Sequence, residues 1–546
     1  MSKYSMGIDF GTLSGRAVII DIETGEEMAT SVLEFSHSVM SEKFINGEAL
    51  PADYALQHPQ DYLDTLYFII KDCLEKSGVD AADIIGIGVD FTASTVMPVT
   101  ADGEPVCFLE KYKNDPHAYV KLWKHHAAQS EADEMNTLAR QMGEPWIDRY
   151  GGTISCEWLW PKVLNILRED EEVYNDTARF IEAGDWMVWQ LTGNETHSVC
   201  TTGFKGTWSE ECGYPSKDFL KALDPRIENI VGDKISPDVI KLSQTAGYIT
   251  DSVAARTGLK AGTPVAPAFI DAHAALPALG VTRPGDMLMI IGTSTCHILL
   301  GEKEVQIPGI SGSVKDGIVD GLYAFEAGQA CVGDSFDWFV KNCVPQSYFA
   351  EAQAEGVNIH KYLRGKAKKL SAGSSGLLAL DWWNGNRTPY VNGNLSGVLV
   401  GLTTTTPPEA IYRALIEATA YGTRRIIEIY EKSGIKIDRL YAAGGIAEKD
   451  EMLMQIYADV TGREIRLSGT AQACAYGSAI LGSVNENGYP SLEEASEKLK
   501  KIKDITYKPI VENTVIYNEL YEEYKNLSEY FAVGQSRVME KLKALK

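Results

Sequence analysis

The sequence predicts an α/β fold made of two like halves. Three observations carry that expectation. The chain has 546 residues, too many for one compact core. Strand-like and helix-like stretches alternate along its whole length. One strand–turn–strand pattern occurs twice, half a chain apart, and internal similarity of that kind exposes a duplicated architecture.

The first copy is Met6-Gly-Ile-Asp-Phe-Gly-Thr-Leu-Ser-Gly-Arg-Ala-Val-Ile-Ile20. It reads as an apolar strand, a tight turn carrying an acid, glycine and hydroxyls, and a second strand. Such a turn aims backbone N–H groups and hydroxyls at an anion such as a phosphate. Asp9 would face the same anion, which makes sense with a cation such as Mg²⁺ between them. The second copy is Met287-Leu-Met-Ile-Ile-Gly-Thr-Ser-Thr-Cys-His-Ile-Leu-Leu300, where Gly292-Thr293 stands for Gly11-Thr12 and Ile290 for Asp9. Only the first copy is therefore equipped to serve a metal. A lone hairpin of this kind would be unremarkable; two of them can clamp one nucleotide. Asp9-Phe10-Gly11 also spells the protein-kinase metal motif, but that motif needs a whole lobe and a catalytic loop upstream. Neither a Walker-type loop nor a dinucleotide fingerprint occurs.

Arg16–Ile22, the turn Glu23–Glu26 and Met28–Phe35 extend the opening hairpin into a meander. His58–Ser77 carries Leu63, Leu66, Ile69, Ile70 and Cys73 at helical spacing and stops before Gly78. Ile84–Phe91 is a buried strand feeding the loop Thr92–Thr95. From Glu110 to about Asn229 the chain is rich in Trp, His and short helical patches, and is predicted to elaborate the substrate-facing side of the first domain. A strand Val265–Ile270 ends in Asp271-Ala-His-Ala. In the second half Pro407–Glu431 is a helix with Gly434 past its end, Leu440–Ala443 a strand, Gly444-Gly445 a turn and Glu451–Val460 a helix. The final stretch, Asn513–Lys546, is amphipathic and helical. The expected domains are residues 1–268, 269–505 and a C-terminal helical segment 506–546.

Composition bounds the partners. A net charge of −24 and a pI near 4.9 argue against nucleic acid or an anionic membrane. The nine cysteines lack a Cys-x-x-Cys pair or a His/Cys cluster, which suits reduced thiols. No basic-then-apolar leader opens the chain, and residues 287–300 are too short and hydroxyl-rich to span a bilayer. These features predict a cytoplasmic location. His125, His126 and His273 have no partners at ligand spacing and are expected to be structural, as is the pair Trp382-Trp383.

Three glycine turns in order, Gly11-Thr12, Gly292-Thr293 and Gly444-Gly445, resemble the actin, hexokinase and heat-shock ATPase superfold. That resemblance implies two ribonuclease-H-like domains with the active site in the cleft between them. The run from Gly444 to Gly462, with Gln455, Ala458 and Asp459 inside it, is similar to a signature of the carbohydrate kinases related to glycerol kinase and xylulokinase. Asp9–Arg16, Asp90–Thr95, Ser155–Trp158 with Pro161-Lys162, Asp271–His273, Gly292–His297, Glu326–Gln329 and Asp381–Arg387 resemble the L-ribulose-phosphorylating branch of that family.

The resemblance implies an ATP- and Mg²⁺-dependent enzyme converting L-ribulose to L-ribulose 5-phosphate in L-arabinose catabolism. It assigns Asp271 as general base and Ala93, Ser94, Lys205, Asp271 and Glu326 to the sugar. Gly11, Thr12, Arg16, Gly292, Thr293 and Gly333 fall to the nucleotide phosphates or their surroundings, Gly444, Gly445 and Asp450 to the adenosine, and Asp9 to the metal. It also admits a homodimer. For Asp271 an ordinary pKa near ~4 is expected to suffice, because the hydroxyl proton leaves late in phosphoryl transfer. The alternatives are a kinase for D-ribulose, xylulose or ribitol, and an actin- or chaperone-like nucleotide switch.

Overall fold

The computed structural model describes residues 2–534 and 536–545. Two seven-stranded mixed sheets organise the molecule, and they share a plan. In the first, Tyr4–Phe10 and Ser14–Asp21 form an antiparallel hairpin that sets Asp9 opposite Arg16, and Glu27–Glu34 continues the meander. Ile84–Phe91 then joins Tyr4–Phe10 in parallel, with Gly7 opposite Gly88 and Asp9 opposite Asp90. Pro264–Val265 and Phe269–Ile270 pair in parallel with Ile84–Phe91. In the second sheet Asp286–Ile291, Thr295–Gly301 and Tyr323–Gln329 repeat the meander. Arg439–Ala443 and Ile465–Ser468 supply the parallel strands.

Both central strands are apolar on one face and small on the other. Met6, Ile8 and Phe10 are fully buried in a core that includes Tyr62, Leu66, Ile69 and Ile70 of the helix Pro59–Ser77. That helix starts where the His58 ring accepts the Gln60 N–H and stops at Gly78, whose φ of 65° suits glycine. The opposite face carries Gly7 and Gly88, and there the helix Ala473–Gly482 from the second half lies flush on the first sheet. A Cβ at Gly88 would sit 1.9 Å from the Ser478 carbonyl oxygen, and one at Gly7 1.8 Å from that of Ala475. The helix Asp271–Ala278, which leaves the first sheet, shares a core with Leu288, Ile298, Tyr441 and Ala443 of the second. The two helices therefore cross between the sheets, each reaching toward the other half.

An insertion in the first half carries its own core. Leu56–Gln57, Val120–Lys121, Val96–Val99 and Arg179–Glu182 form a small sheet, and Trp146, Trp158 and Trp160 pack with it. One element differs from expectation. The strand read across Val265–Ile270 is two short strands, because Pro267 has no N–H to give the ladder. The final segment is two helices, Val511–Ala532 and Val538–Lys543. It is also no appendage: Tyr517, Tyr521 and Tyr524 are buried in the core of the second half, and Ile502–Tyr507 is that sheet's edge strand. Among the described residues no helix is long and apolar enough to cross a membrane, and all nine cysteines are free thiols.

Candidate active site

Parallel strands gather their carboxyl ends, and in such sheets ligands bind there. The first sheet ends three strands side by side in Asp9-Phe10, Asp90-Phe91 and Ile270-Asp271. Asp9 is 5 % exposed and Asp90 is fully buried. Arg16 Nε lies 3.3 Å from Asp9 Oδ2, so the cation expected at the outer phosphates is paired here with the expected metal ligand. Asp90 accepts the Ser478 hydroxyl at 2.6 Å, while its Oδ1 is buried without a partner. Burial raises both carboxyls above the usual range, with Arg16 opposing it at Asp9 and the Asp9 charge adding to it at Asp90.

That orphaned oxygen beside Asp9 fits a hard divalent cation. No group of three or more His, Cys, Asp or Glu forms a metal cage among the described residues. A Mg²⁺ ion is usually held by one or two carboxylates, with water and substrate phosphates completing its shell, and Asp9 with Asp90 meets that need.

Asp271 opens the helix Asp271–Ala278, and its Oδ1 accepts the Ala272 N–H at 2.7 Å. Burial, then the Asp9 charge, push its carboxyl up to about 7. This corrects the expectation of an ordinary Asp: four acids crowd one buried region, and each resists the ionisation of the next.

Lys205 ends the helix Val199–Lys205 in the first half; Glu326 lies on Tyr323–Gln329 in the second. Lys205 Nζ meets the two Glu326 oxygens at 2.9 and 3.1 Å. His273 Nε2 reaches Glu326 Oε2 at 3.0 Å, and its Nδ1 lies 3.3 Å from Cys200 Sγ. The ammonium also rests 5.3 Å from the centre of the Trp158 ring. Burial alone would raise Glu326, yet Lys205 and His273 hold it well below the usual carboxylate range. His273, expected to be merely structural, thus belongs to this cluster.

Ala93 and Ser94 sit in the loop Thr92–Thr95, which follows the Asp90 strand end. Ser94 adopts φ 54°, a left-handed conformation that costs a serine energy unless its surroundings fix it. They do so. Lys162 Nζ donates to the Ser94 carbonyl at 2.5 Å and to that of Leu122 at 2.9 Å, and Glu182 accepts the Thr95 N–H at 3.0 Å.

The two glycine–threonine turns share their hydrogen bonding. Gly11 N–H donates to Ser14 O at 3.0 Å, and Gly292 N–H to Ser294 O at 2.9 Å. The Gly292 amide, expected on the phosphates, is therefore committed to closing its own turn. Thr293 and Ser294 keep their N–H groups without a partner among the described residues. Thr12 accepts the Trp123 indole N–H at its hydroxyl, 3.1 Å, and the Gln57 amide at its carbonyl, 2.7 Å.

Gly333 opens the helix Gly333–Cys343 and donates its N–H to Gly292 O at 3.1 Å. A Cβ there would meet Ile446 at 2.6 Å and the Gly292 carbonyl at 2.8 Å, so Gly292, Gly333 and the Gly444-Gly445 turn converge. Gly444, at φ 99°, backs onto the Ile291 carbonyl. Asp450, expected at the adenosine, also has a structural task. Its carboxylate caps Glu451–Thr461 by accepting the Leu453 N–H at 3.0 Å, and pairs with Arg364 at 3.3 Å. It is 3 % exposed.

Sequence reasoning left Asp90 and Lys162 without roles. One signal was available: Asp-Phe ends both strands, at residues 9–10 and 90–91.

Comparison with known proteins agrees with this architecture. Residues 4–278 match the N-terminal domain, and residues 287–486 the C-terminal domain, of the FGGY family of carbohydrate kinases. The chain belongs to that family. It is an enzyme, a sugar kinase. A curated relative from Bacillus licheniformis named ribulokinase is 51 % identical over 539 residues, covering 98 % of each chain. One of the same name from Halalkalibacterium halodurans is 50 % identical, over all of this chain and 98 % of that one. Among solved structures, a xylulose kinase from Lactobacillus acidophilus has a TM-score of 0.81 at 17 % identity, covering 99 % of this chain and 100 % of that one. One from Brucella ovis has a TM-score of 0.80 at 18 % identity, with both chains fully covered. These two likenesses establish the two-domain α/β kinase fold.

Proposed function

We propose that this sugar kinase transfers the γ-phosphoryl group of ATP to the terminal hydroxyl of L-ribulose, giving L-ribulose 5-phosphate, as a step of L-arabinose catabolism. The observation that carries the reading is the cluster of Asp271 with Lys205 and Glu326 beside the two phosphate-type turns. Near-full-length likeness to proteins named ribulokinase supports the choice of sugar. The nine free thiols and acidic composition support a cytoplasmic location.

The sugar binds between the halves, against the Ala93–Ser94 loop, with Lys205 and Glu326 as donor and acceptor to its oxygens. Thr293 and Ser294 offer N–H groups to the nucleotide phosphates, and the Gly444-Gly445 turn lets the adenosine lie against backbone. The sugar O5 attacks the γ-phosphorus. The bond from phosphorus to the β,γ-bridging oxygen breaks, and ADP leaves with the electron pair. The O5 proton passes to the Asp271 carboxylate. Mg²⁺, held by Asp9 and Asp90, would offset charge on the phosphates. Approach of the two halves excludes water, which suppresses hydrolysis of ATP.

A coupled ADP-release assay tests this with L-ribulose, D-ribulose, xylulose and ribitol, each with ATP and Mg²⁺. The highest kcat/KM is expected for L-ribulose. Preference for another sugar by tenfold would overturn the substrate, and ATP hydrolysis indifferent to every sugar would overturn the acceptor chemistry.

A further inference from the structure

Arg387 lies in the loop after the strand Leu378–Leu380, in the second half. Its backbone is clamped. Thr388 N–H donates to Gly328 O at 3.2 Å, the Thr388 hydroxyl accepts the Gly328 N–H at 3.3 Å, and Val391 N–H returns to Arg387 O at 3.1 Å. Asn386 closes the loop onto Asn392, and Trp382 is buried against the Tyr390 ring. The loop therefore presents Arg387 from a fixed position.

Its side chain runs over Gly328. A Cβ at that glycine would meet Arg387 Cδ at 3.3 Å and Nη1 at 3.4 Å, so the stem lies closely over the glycine. Gly328 and Glu326 are two residues apart on one strand and share a face. Cys296, opposite Gly328, shares it too and lies in the field of Glu326, Arg387, Asp271 and Lys205. Along this strand pair the sites come in order. First is the turn with the unpartnered Thr293 and Ser294 amides. Next is the Cys296–Gly328 level, covered by Arg387. About 7 Å further on, two residues of strand, comes Glu326 with Lys205. Arg387 thus stands between the phosphate turn and the sugar pair.

Its donors are uncommitted. Arg16 is paired with Asp9 and Lys205 with Glu326. The Arg387 guanidinium makes neither ion pair nor hydrogen bond among the described residues, although it senses Glu157 and Glu326. A half-buried planar cation with five free donors is built to grip a phosphoryl group through two oxygens.

We propose that Arg387 is a catalytic residue that binds the phosphoryl group in transit from ATP to the sugar, and the ester phosphate of the product. This rests on the kinase reading above. As O5 bonds to phosphorus and the bridging oxygen departs, charge gathers on the equatorial oxygens. A guanidinium carried by a clamped loop between donor and acceptor stabilises that charge more than it does bound sugar.

The test compares wild type with Arg387→Gln and Arg387→Lys. Removing a pre-organised donor should lower kcat by about 10²–10³-fold with the KM for L-ribulose unchanged. Arg387→Lys should recover only part, and added guanidinium chloride should raise the rate of Arg387→Gln but not of wild type. Independently of turnover, calorimetry should show L-ribulose 5-phosphate binding about 10- to 100-fold more weakly to Arg387→Gln, with L-ribulose affinity and the melting temperature kept. A raised sugar KM with kcat unchanged, undiminished affinity for the phosphorylated sugar, or a lowered melting temperature as the main effect would overturn the assignment. Should wild type phosphorylate no pentulose, the kinase reading itself fails; should it do so while Arg387→Gln matches it, only Arg387 loses its role.

Discussion

Lys205 Nζ reaches both carboxylate oxygens of Glu326, at 2.9 and 3.1 Å, and this pair joins the two halves of the enzyme. Both residues are less than 10 % exposed. Removing one partner strands a buried charge, which typically costs about 3–5 kcal/mol. Lys205→Met and Glu326→Gln should each lower stability in urea unfolding, and the double variant should be more stable than the sum of the two losses predicts. Additive losses would show that the charges do not depend on each other.

The same pair is expected to hold the sugar. Glu326→Gln should raise the KM for L-ribulose by about tenfold or more, the worth of one charge-assisted hydrogen bond, and leave the KM for ATP near wild type. Initial-rate measurements with each substrate varied in turn check this; an equal rise in both constants would contradict it.

As the proposed base, Asp271 would have to be ionised to accept a proton, and its carboxyl is pushed up to about 7. Because this acid's pKa is raised, its protonated form dominates below that value. The kcat/KM for sugar should therefore fall about tenfold per pH unit on the acid side of about pH 7, where an ordinary aspartate would keep it flat to about pH 4. Asp271→Asn should lose about 10²–10⁴-fold in kcat yet bind ATP as wild type does by calorimetry.

Asp9→Asn removes one carboxylate from the proposed Mg²⁺ pair. The Mg²⁺ concentration for half-maximal activity should rise by about tenfold or more, and titration calorimetry with Mg²⁺ and ADP should show the matching loss of affinity. An unchanged Mg²⁺ requirement would move the ion elsewhere.

At Gly88 a Cβ would lie 1.9 Å from the Ser478 carbonyl, and backbone cannot step aside as a flexible side chain can. Gly88→Ala should destabilise the protein by about 1–3 kcal/mol or more, read as a shift of the urea midpoint at constant m.

Much of this was legible in the chain because local chemistry decides it. Ile84–Phe91 is a strand over the predicted residues, since its β-branched Ile and Val residues alternate with small ones at the two-residue period of a buried strand. Pro59–Ser77 keeps its predicted end because Gly78 terminates it. The misses share one cause. Asp90 becomes a partner of Asp9 only through strand register, and Asp271 acquires its raised pKa from burial and from the charge of Asp9, which is remote in sequence. Asp450 caps a helix and pairs with Arg364, a residue 86 positions away. His273 stands two residues from Asp271, yet its partners Cys200 and Glu326 lie more than 50 positions away on either side. Spacing along the chain carries no record of such meetings.

The helix Ala473–Gly482 rests on the first sheet although most of the second sheet precedes it in the chain. Severing the gene between Gly280 and Asp286 would consequently not yield two self-sufficient pieces, because the upstream fragment would lack the lining of its own β-layer. Such fragments should recover a native fold only when produced together. For the intact enzyme, the interlacing means that each half completes the other's packing.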